Sequence, residues 1–183
     1  MLKFTIENID NKHITAVKNI SDSCFGNDFL TVFKIKETLQ QQGIFKVIIT
    51  DNTVAGFCFV LKFSQKDKYF PEFITFNSNN KVTVIQTLAV LPEYQRKGLG
   101  TALLTDILTT IKNRFKAIPI YYPFWVETTS AGFYKKLLNL GFKKVKEYPH
   151  YWHNDSLKHN YRCSVCKSIP CRCSMHLFIK NSK

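Results

Sequence analysis

Gln95-Arg-Lys-Gly-Leu-Gly100 joins an apolar, strand-like run, Ile85–Val90, to a stretch with helical spacing. Two glycines at a helix start cost about 1 kcal/mol each relative to alanine, so helix propensity did not place them there. Glycine lets another group approach the backbone closely. The first N–H groups of a helix lack intrahelical partners, and the helix dipole favours an anion beside them. Arg96 and Lys97 add positive charge at the same place. Strand, basic glycine turn and helix N-terminus together make a phosphate-binding site. A second group of chemistry-bearing residues is Cys163, Cys166, Cys171 and Cys173, spaced C-x2-C-x4-C-x-C. A C-x2-C pair grips one zinc ion, and four thiolates close a tetrahedral shell. An iron–sulfur cluster uses the same ligands, and a reduced cysteine-rich loop is the third reading. In a cytosolic chain such clustering favours a metal over disulfides, which makes structural zinc the expectation. His159 and His176 are reserve ligands, whereas Cys24 and Cys58 stand alone.

The phosphate ligand can be narrowed. A P-loop needs GxxxxGK[ST], and no Gly-Lys-Ser or Gly-Lys-Thr occurs. A dinucleotide fingerprint needs a third glycine where Leu103 stands. Gln95-Arg-Lys-Gly98-Leu-Gly100 does fit Q/R-x-x-G-x-G/A after a strand, the acetyl-coenzyme A signature of the GNAT N-acetyltransferase superfamily. The lead-in Leu88-Ala-Val-Leu-Pro-Glu-Tyr94 also resembles that family. The resemblance implies that Gln95, Arg96, Lys97, Gly98, Leu99, Gly100 and Thr101 form the pyrophosphate nest. It implies that Leu88, Ala89 and Val90 offer backbone groups to the pantetheine, as an added strand would. A backbone N–H around Val90 would then polarise the thioester carbonyl.

Transfer from a thioester to an amine also needs a proton for the departing thiolate and a neutral amine. Ala131-Gly-Phe-Tyr134, followed by Gly141-Phe142, resembles the family's Phe-Tyr…Gly-Phe segment, whose tyrosine sits near the sulfur. Three more residues than usual separate Tyr134 from Gly-Phe, close to one helical turn. A phenol of pKa about 10 can protonate a thiolate held beside it. An ammonium acceptor must lose a proton before attack. Many relatives place a glutamate on the fourth strand; counting back from Gln95, Val84 stands where some of them do. Glu127, on the fifth strand near the central groove, is the first candidate base, with His150 and Glu72 behind it.

These groups must be carried by a small set of elements. Leu2–Ile6 alternates as a first strand, and residues 13–42 carry helical patterns. Phe45–Thr50 and Val54–Phe63 form a hairpin across Asp51-Asn52, and Val82–Val90 feeds the glycine turn. Leu99, Leu103, Ile107 and Ile111 mark an amphipathic helix over 98–112. A buried strand is expected in the second half of Ile118–Thr128, then a helix capped by Thr129 or Ser130 and ended by Gly141. Phe142–Lys146 and His176–Ile179 read as the last strands. The order β-αα-βββ-α-β-α-ββ is that of the GNAT fold. That fold is α+β: a mixed, mostly antiparallel sheet splayed between its fourth and fifth strands and flanked by helices.

At 183 residues with 45% hydrophobic content, the chain can bury one good core, so residues 1–183 are expected to form a single domain. Residues 148–175 form a cysteine-rich insertion before the last strand. It carries Tyr148, His150, Tyr151, Trp152 and His153 to the border of the acceptor site, where zinc would fold it. No apolar run reaches the roughly 18 residues of a membrane helix. The opening Met-Leu-Lys-Phe-Thr-Ile-Glu does not read as a signal peptide, so a cytoplasmic location is expected. The net charge of +13 suggests an anionic partner, and coenzyme A accounts for part of it. The lysines are dispersed and no standard nucleic-acid motif occurs, which argues against a nucleic-acid partner. The expected activity is direct acetyl transfer from acetyl-CoA to a primary amine on a small molecule or a protein. A non-catalytic module that senses acyl-CoA, or docks protein or nucleic acid through a zinc knuckle, is the alternative.

Overall fold

The computed structural model of the protein describes residues 3–64, 67, 71–74, 81–115, 118–126, 131–163 and 165–181. Among the described residues seven strands form one sheet in the order β1-β2-β3-β4-β5-β7-β6. They are β1 (Thr5–Asn8), β2 (Gly43–Thr50), β3 (Thr53–Ser64), β4 (Lys81–Val90), β5 (Ile120–Val126), β6 (Lys143–Tyr148) and β7 (Ser174–Lys180). Among the described residues only the β4–β5 pairing is parallel, so the expected mixed, mostly antiparallel α+β sheet is observed. Asp51 and Asn52 close the β2–β3 hairpin with φ of 49° and 58°, the left-handed pair that a two-residue turn between twisted strands requires. The first strand lies later than the expected Leu2–Ile6, because its limits follow pairing with Lys46–Ile49 rather than its own alternation.

Helices cover both faces. α1 (Ile14–Phe25) and α2 (Val32–Leu39) pack Val17, Ile20 and Ile35 against Val47, Phe57 and Phe59. α3 (Leu99–Phe115) and α4 (Ala131–Asn139) cover the other face, where Leu103, Ile107 and Leu137 meet Cys58, Val60, Ile85 and Phe178. Within β3, Phe57 and Phe59 thus point one way and Cys58 and Val60 the other, as the period of two in a strand buried on both faces demands. The α3 stripe Leu99, Leu103, Ile107 and Ile111 is 1% exposed or less throughout, which fixes the register of this helix on the sheet.

Between β6 and β7 the chain adds α5 (His153–Lys158) and the four-cysteine segment. The six residues of α5 are too few for a periodic pattern to show in sequence, so the cysteine-rich insertion 148–175 was expected without a helix. This segment docks on the end of α1. Gly26 caps α1 with φ of +113°, and a Cβ built there would lie 2.1 Å from the Arg162 carbonyl oxygen. Gly26→Val combines strain in a disfavoured backbone region with a backbone clash. It is expected to cost at least about 2 kcal/mol in chemical denaturation and to loosen the docked segment first, as increased proteolysis near residue 162.

Candidate active site

The β4–β5 contact is short. Register pairs join Thr83 to Ile120 and Val84 to Tyr121, and beyond them the strands pair no further among the described residues. Parallel pairing that stops after two pairs leaves a wedge. Gln86–Val90 of β4 and Tyr122–Trp125 of β5 are its two walls, and the wedge opens into a cleft of about 1700 Å³. The β5-facing edge of β4 therefore offers backbone donors and acceptors that have no strand partner among the described residues. This is the setting in which an extended ligand adds as a strand.

The glycine turn closes one end of the cleft. A 3-10 turn, Pro92–Tyr94, follows β4, and the Gln95 side-chain amide donates to the Val90 carbonyl at 2.9 Å, tying the turn to the strand end. Arg96 (φ 58°) and Gly98 (φ 87°) are both left-handed, which turns the chain abruptly into α3. Leu99, 1% exposed, anchors the helix start in the core, while Gln95, Arg96, Gly98, Gly100 and Thr101 line the cleft. A Cβ at Gly100 would lie 3.6 Å from Phe133 and from Val90, at ordinary contact distance, so the glycine leaves a gap at the wall rather than relieving a clash. The first N–H groups of a helix lack intrahelical partners, and here the positive end of a 17-residue helix and Arg96 favour an anion at this end of the cleft. Lys97 does not line it; its ammonium lies 5.3 Å from the centre of the Tyr94 ring.

The structure places the candidates for proton transfer unequally. Tyr134 does not line the cleft: its ring packs edge-on against Phe178 at 5.1 Å and lies 6.0 Å from that of His176. One residue earlier, Phe133 takes the cleft-facing position with Gly132 and Lys136. The insertion in α4 lengthens the helix, but a shift of one residue turns a side chain by about 100°. Glu127 lies outside the described residues, as do Thr129 and Ser130, the expected caps of α4. Glu72 lines the cleft and His150 does not. Val84, in the place of the missing glutamate, is 1% exposed; it lines the cleft floor and packs into the core.

Sequence reasoning missed most of the far end of the cleft. Phe25 and Trp125 stack at 5.5 Å and 11°, and Trp125 and Trp152 stack at 4.7 Å and 25°. These rings come from α1, β5 and the residue before α5, so no local pattern could join them; only the aromatic run 148–152 was visible. Asp155 lines the cleft with Glu72, and the two are the carboxylates on its wall among the described residues. Burial, then the nearby charges of Glu72, Tyr148 and Asp155, hold the Tyr151 phenol above its usual range. The Tyr122 phenol on β5 is likewise raised by burial.

Behind this wall the four cysteine sulfurs lie within 4.8 Å of one another. Cys163 and Cys173 are 3.7 Å apart and Cys166 and Cys171 3.9 Å. A disulfide needs about 2.05 Å, whereas a tetrahedron with metal–sulfur bonds near 2.3 Å has edges of roughly 3.8 Å. These two separations are close to the second value and far from the first. Backbone N–H groups already point at sulfur: Val165 and Cys166 donate to Cys163, Arg172 to Cys166 and Cys173 to Cys171, at 3.3–3.5 Å. Burial works to raise the Cys166 thiol, but hydrogen bonds from the Arg172 N–H and from Ser168 prevail and hold it at about 6. Burial pushes Cys163 and Cys171 up.

Comparison with known proteins agrees with this geometry. The model of the "Acetyltransferase (GNAT) family" matches residues 14–139. The chain is 30% identical over 145 residues to an N-alpha-acetyltransferase of Saccharolobus solfataricus, covering 78% of this chain and 82% of that protein. Among solved structures, the ribosomal-protein-S18-alanine N-acetyltransferase of Escherichia coli superposes with a TM-score of 0.68 at 15% identity, covering 99% of this chain and 95% of that one. The Salmonella typhimurium protein yncA, solved with its cofactor acetyl-CoA, gives 0.67 at 14% identity and covers 98% of this chain and 94% of that one.

Proposed function

The chain belongs to the GNAT acetyltransferase family, and on that premise we propose that it moves the acetyl group of acetyl-CoA directly onto a primary amine. One observation carries this reading: the wedge between parallel β4 and β5 opens into the same cleft as the glycine turn at the start of α3. A ligand that is an anion at one end and an extended amide chain at the other fits that combination. Gln95, Arg96, Lys97 and Gly98–Thr101 take the pyrophosphate, with Lys97 acting through its charge near the turn rather than from the cleft wall. Leu88, Ala89 and Val90 pair with the pantetheine.

The amine nitrogen attacks the thioester carbon, and the carbonyl oxygen gains negative charge facing a β4 backbone N–H near Val90. Collapse breaks the carbon–sulfur bond, leaves the amide, and gives the proton lost by the nitrogen to solvent or to the thiolate. No acyl-enzyme forms. Glu72 and Asp155 stand where an incoming ammonium would be drawn, and Glu72 is the sequence candidate for the base that lies on the wall. The acceptor is an amine carried on an apolar or aromatic body, on a small molecule or a protein. The aromatic end of the cleft and the N-alpha-acetyltransferase relative support that choice. In the same reading the four cysteines hold a structural zinc ion.

Tyr134 remains the sequence candidate for protonating the thiolate, but its packing on Phe178 predicts a modest role. Tyr134→Phe is expected to leave kcat within about threefold; a loss of about a hundredfold at unchanged acetyl-CoA affinity would put the phenol in the chemistry. The function itself is tested by incubating the protein with acetyl-CoA and a panel of amines and N-terminally free peptides, following thiol release and the acetylated product by mass spectrometry. Amine-dependent release with a matching amide product supports the reading. Protein that binds acetyl-CoA yet acetylates nothing across the panel contradicts it.

A further inference from the structure

We infer that the four-cysteine centre acts as a metal-dependent clamp on the acceptor half of the cleft, so that losing the metal dismantles the acceptor wall while the acyl-CoA half stays intact. This rests on the acetyltransferase reading given above.

A helix of six residues cannot hold itself, since isolated helices shorter than about 12–15 residues are marginal in water. What holds α5 is the cysteine segment. The Cys171 N–H donates to the Ser156 hydroxyl at 2.8 Å, and Ser156 is wholly buried. The Tyr161 hydroxyl donates to the Asp155 carboxylate at 2.7 Å. Trp152, immediately before α5, packs against the cysteines and stacks on Trp125. Through Trp125 the stack continues to Phe25 at the end of α1. The wall of the acceptor half is therefore a chain of contacts that runs from the cysteines outward.

That chain has little apolar mass at its root. The buried members of the cysteine cluster itself are Cys163, Cys171 and Cys173, around which Trp125, Trp152, Val165 and Cys166 are only partly buried, and Tyr161 is the one large, fully buried side chain of the segment 153–173 among the described residues. Small thiols supply a fraction of the burial energy that leucine or isoleucine would. Bringing four sulfurs within 4.8 Å orders a turn-rich segment and crowds groups that repel when ionised. A bound cation reverses that balance, because metal binding free energy becomes folding free energy for such a segment. The acyl-CoA half has no such dependence. β4 and α3 are fixed by Ile85, Val90, Leu99 and Leu103 in the main core, which the cysteine segment does not enter.

The chain provides its own reporter. It has two tryptophans, Trp125 and Trp152, and both belong to the stack. Intrinsic tryptophan emission therefore reads the acceptor wall alone. The experiment uses full-length protein expressed with zinc in the medium, its metal content measured, then stripped with a strong chelator and refilled with zinc or cobalt. Expected are about one zinc per chain, a shift of the emission to longer wavelength on stripping, and its return on refilling. Cobalt refilling should give the sulfur-to-metal charge-transfer absorption of a thiolate site. Acetyl-CoA affinity, by calorimetry on both forms, should change by no more than about twofold.

The inference is overturned by protein that neither carries metal nor takes up zinc or cobalt. It is overturned equally by tryptophan emission that ignores metal removal, or by acetyl-CoA affinity that falls in step with the metal. The function proposed above fails separately, as metal-replete, folded protein that binds no acetyl-CoA.

Discussion

Protein carrying Gly98→Val together with Gly100→Val should fold and yet bind acetyl-CoA at least about a hundredfold more weakly, a loss of about 2.8 kcal/mol. The two positions contribute differently. At Gly98 the backbone has φ of +87°, where a β-branched residue is strained by roughly 1–2 kcal/mol, and nothing within 4 Å blocks the added carbon. The strain is relieved by rotating the peptide, and that turns aside the N–H groups aimed at the anion. At Gly100 the first added carbon makes only ordinary contacts with Phe133, Val90 and Leu88. The branches beyond it fill the gap in the wall through which the pyrophosphate reaches the helix start. Both effects act on the ligand more than on the core, because Leu99 between them keeps the helix anchored. Calorimetric titration beside a thermal melt separates the two: affinity collapses while the melting temperature falls by a few degrees. Affinity within threefold of the parent chain would remove the glycine turn from the acyl-CoA site.

Cys163→Ser is the second large effect. Cys163 is completely buried and its sulfur accepts two backbone N–H bonds, from Val165 and Cys166, so it is central to the cluster. A hydroxyl is a poor zinc ligand, and apparent zinc affinities of such sites correspond to about 10–16 kcal/mol, so with the proposed zinc in place loss of one thiolate would remove most of the order it supplies. Zinc content is expected to fall below about a tenth of an ion per chain. Limited proteolysis should then cut between β6 and β7, while far-UV circular dichroism retains the signal of the seven-stranded sheet and its longer helices. Acceptor KM should rise at least about tenfold, with acetyl-CoA binding retained. A variant with full zinc occupancy and parental kinetics would show that the cysteines hold nothing the enzyme needs.

How far the sequence could be read follows from the range of the interactions involved. The Gln95–Gly100 turn was legible because its chemistry is local: six consecutive residues carry the charge, the glycines and the helix start. The α3 stripe was legible for the same reason, its period being a property of one helix. The splay of β4 from β5 followed from family resemblance, and the two register pairs that define it join residues far apart in the chain. Tyr134 shows where local reading ends. Its neighbours in sequence matched a motif, but Phe178 on β7, a residue more than forty positions away, decides where the ring sits. Of the stack of Phe25, Trp125 and Trp152, only Trp152 carried a sequence signal, through the aromatic run 148–152, since each ring comes from a different element. The cysteines were intermediate: spacing suggested a shared ligand, and the fold brings all four sulfurs within 4.8 Å of one another.

The most direct measurement is a calorimetric titration of folded, metal-analysed protein with acetyl-CoA, and with dephosphorylated pantetheine as the control. Saturable one-to-one binding in the micromolar range, absent for pantetheine alone, is the predicted result, because in the proposed reading the helix start and Arg96 would hold the phosphates while β4 would hold the chain. Heat indistinguishable from dilution on a folded sample would contradict the account at its centre. The wedge between β4 and β5 would then be a fold feature without its ligand.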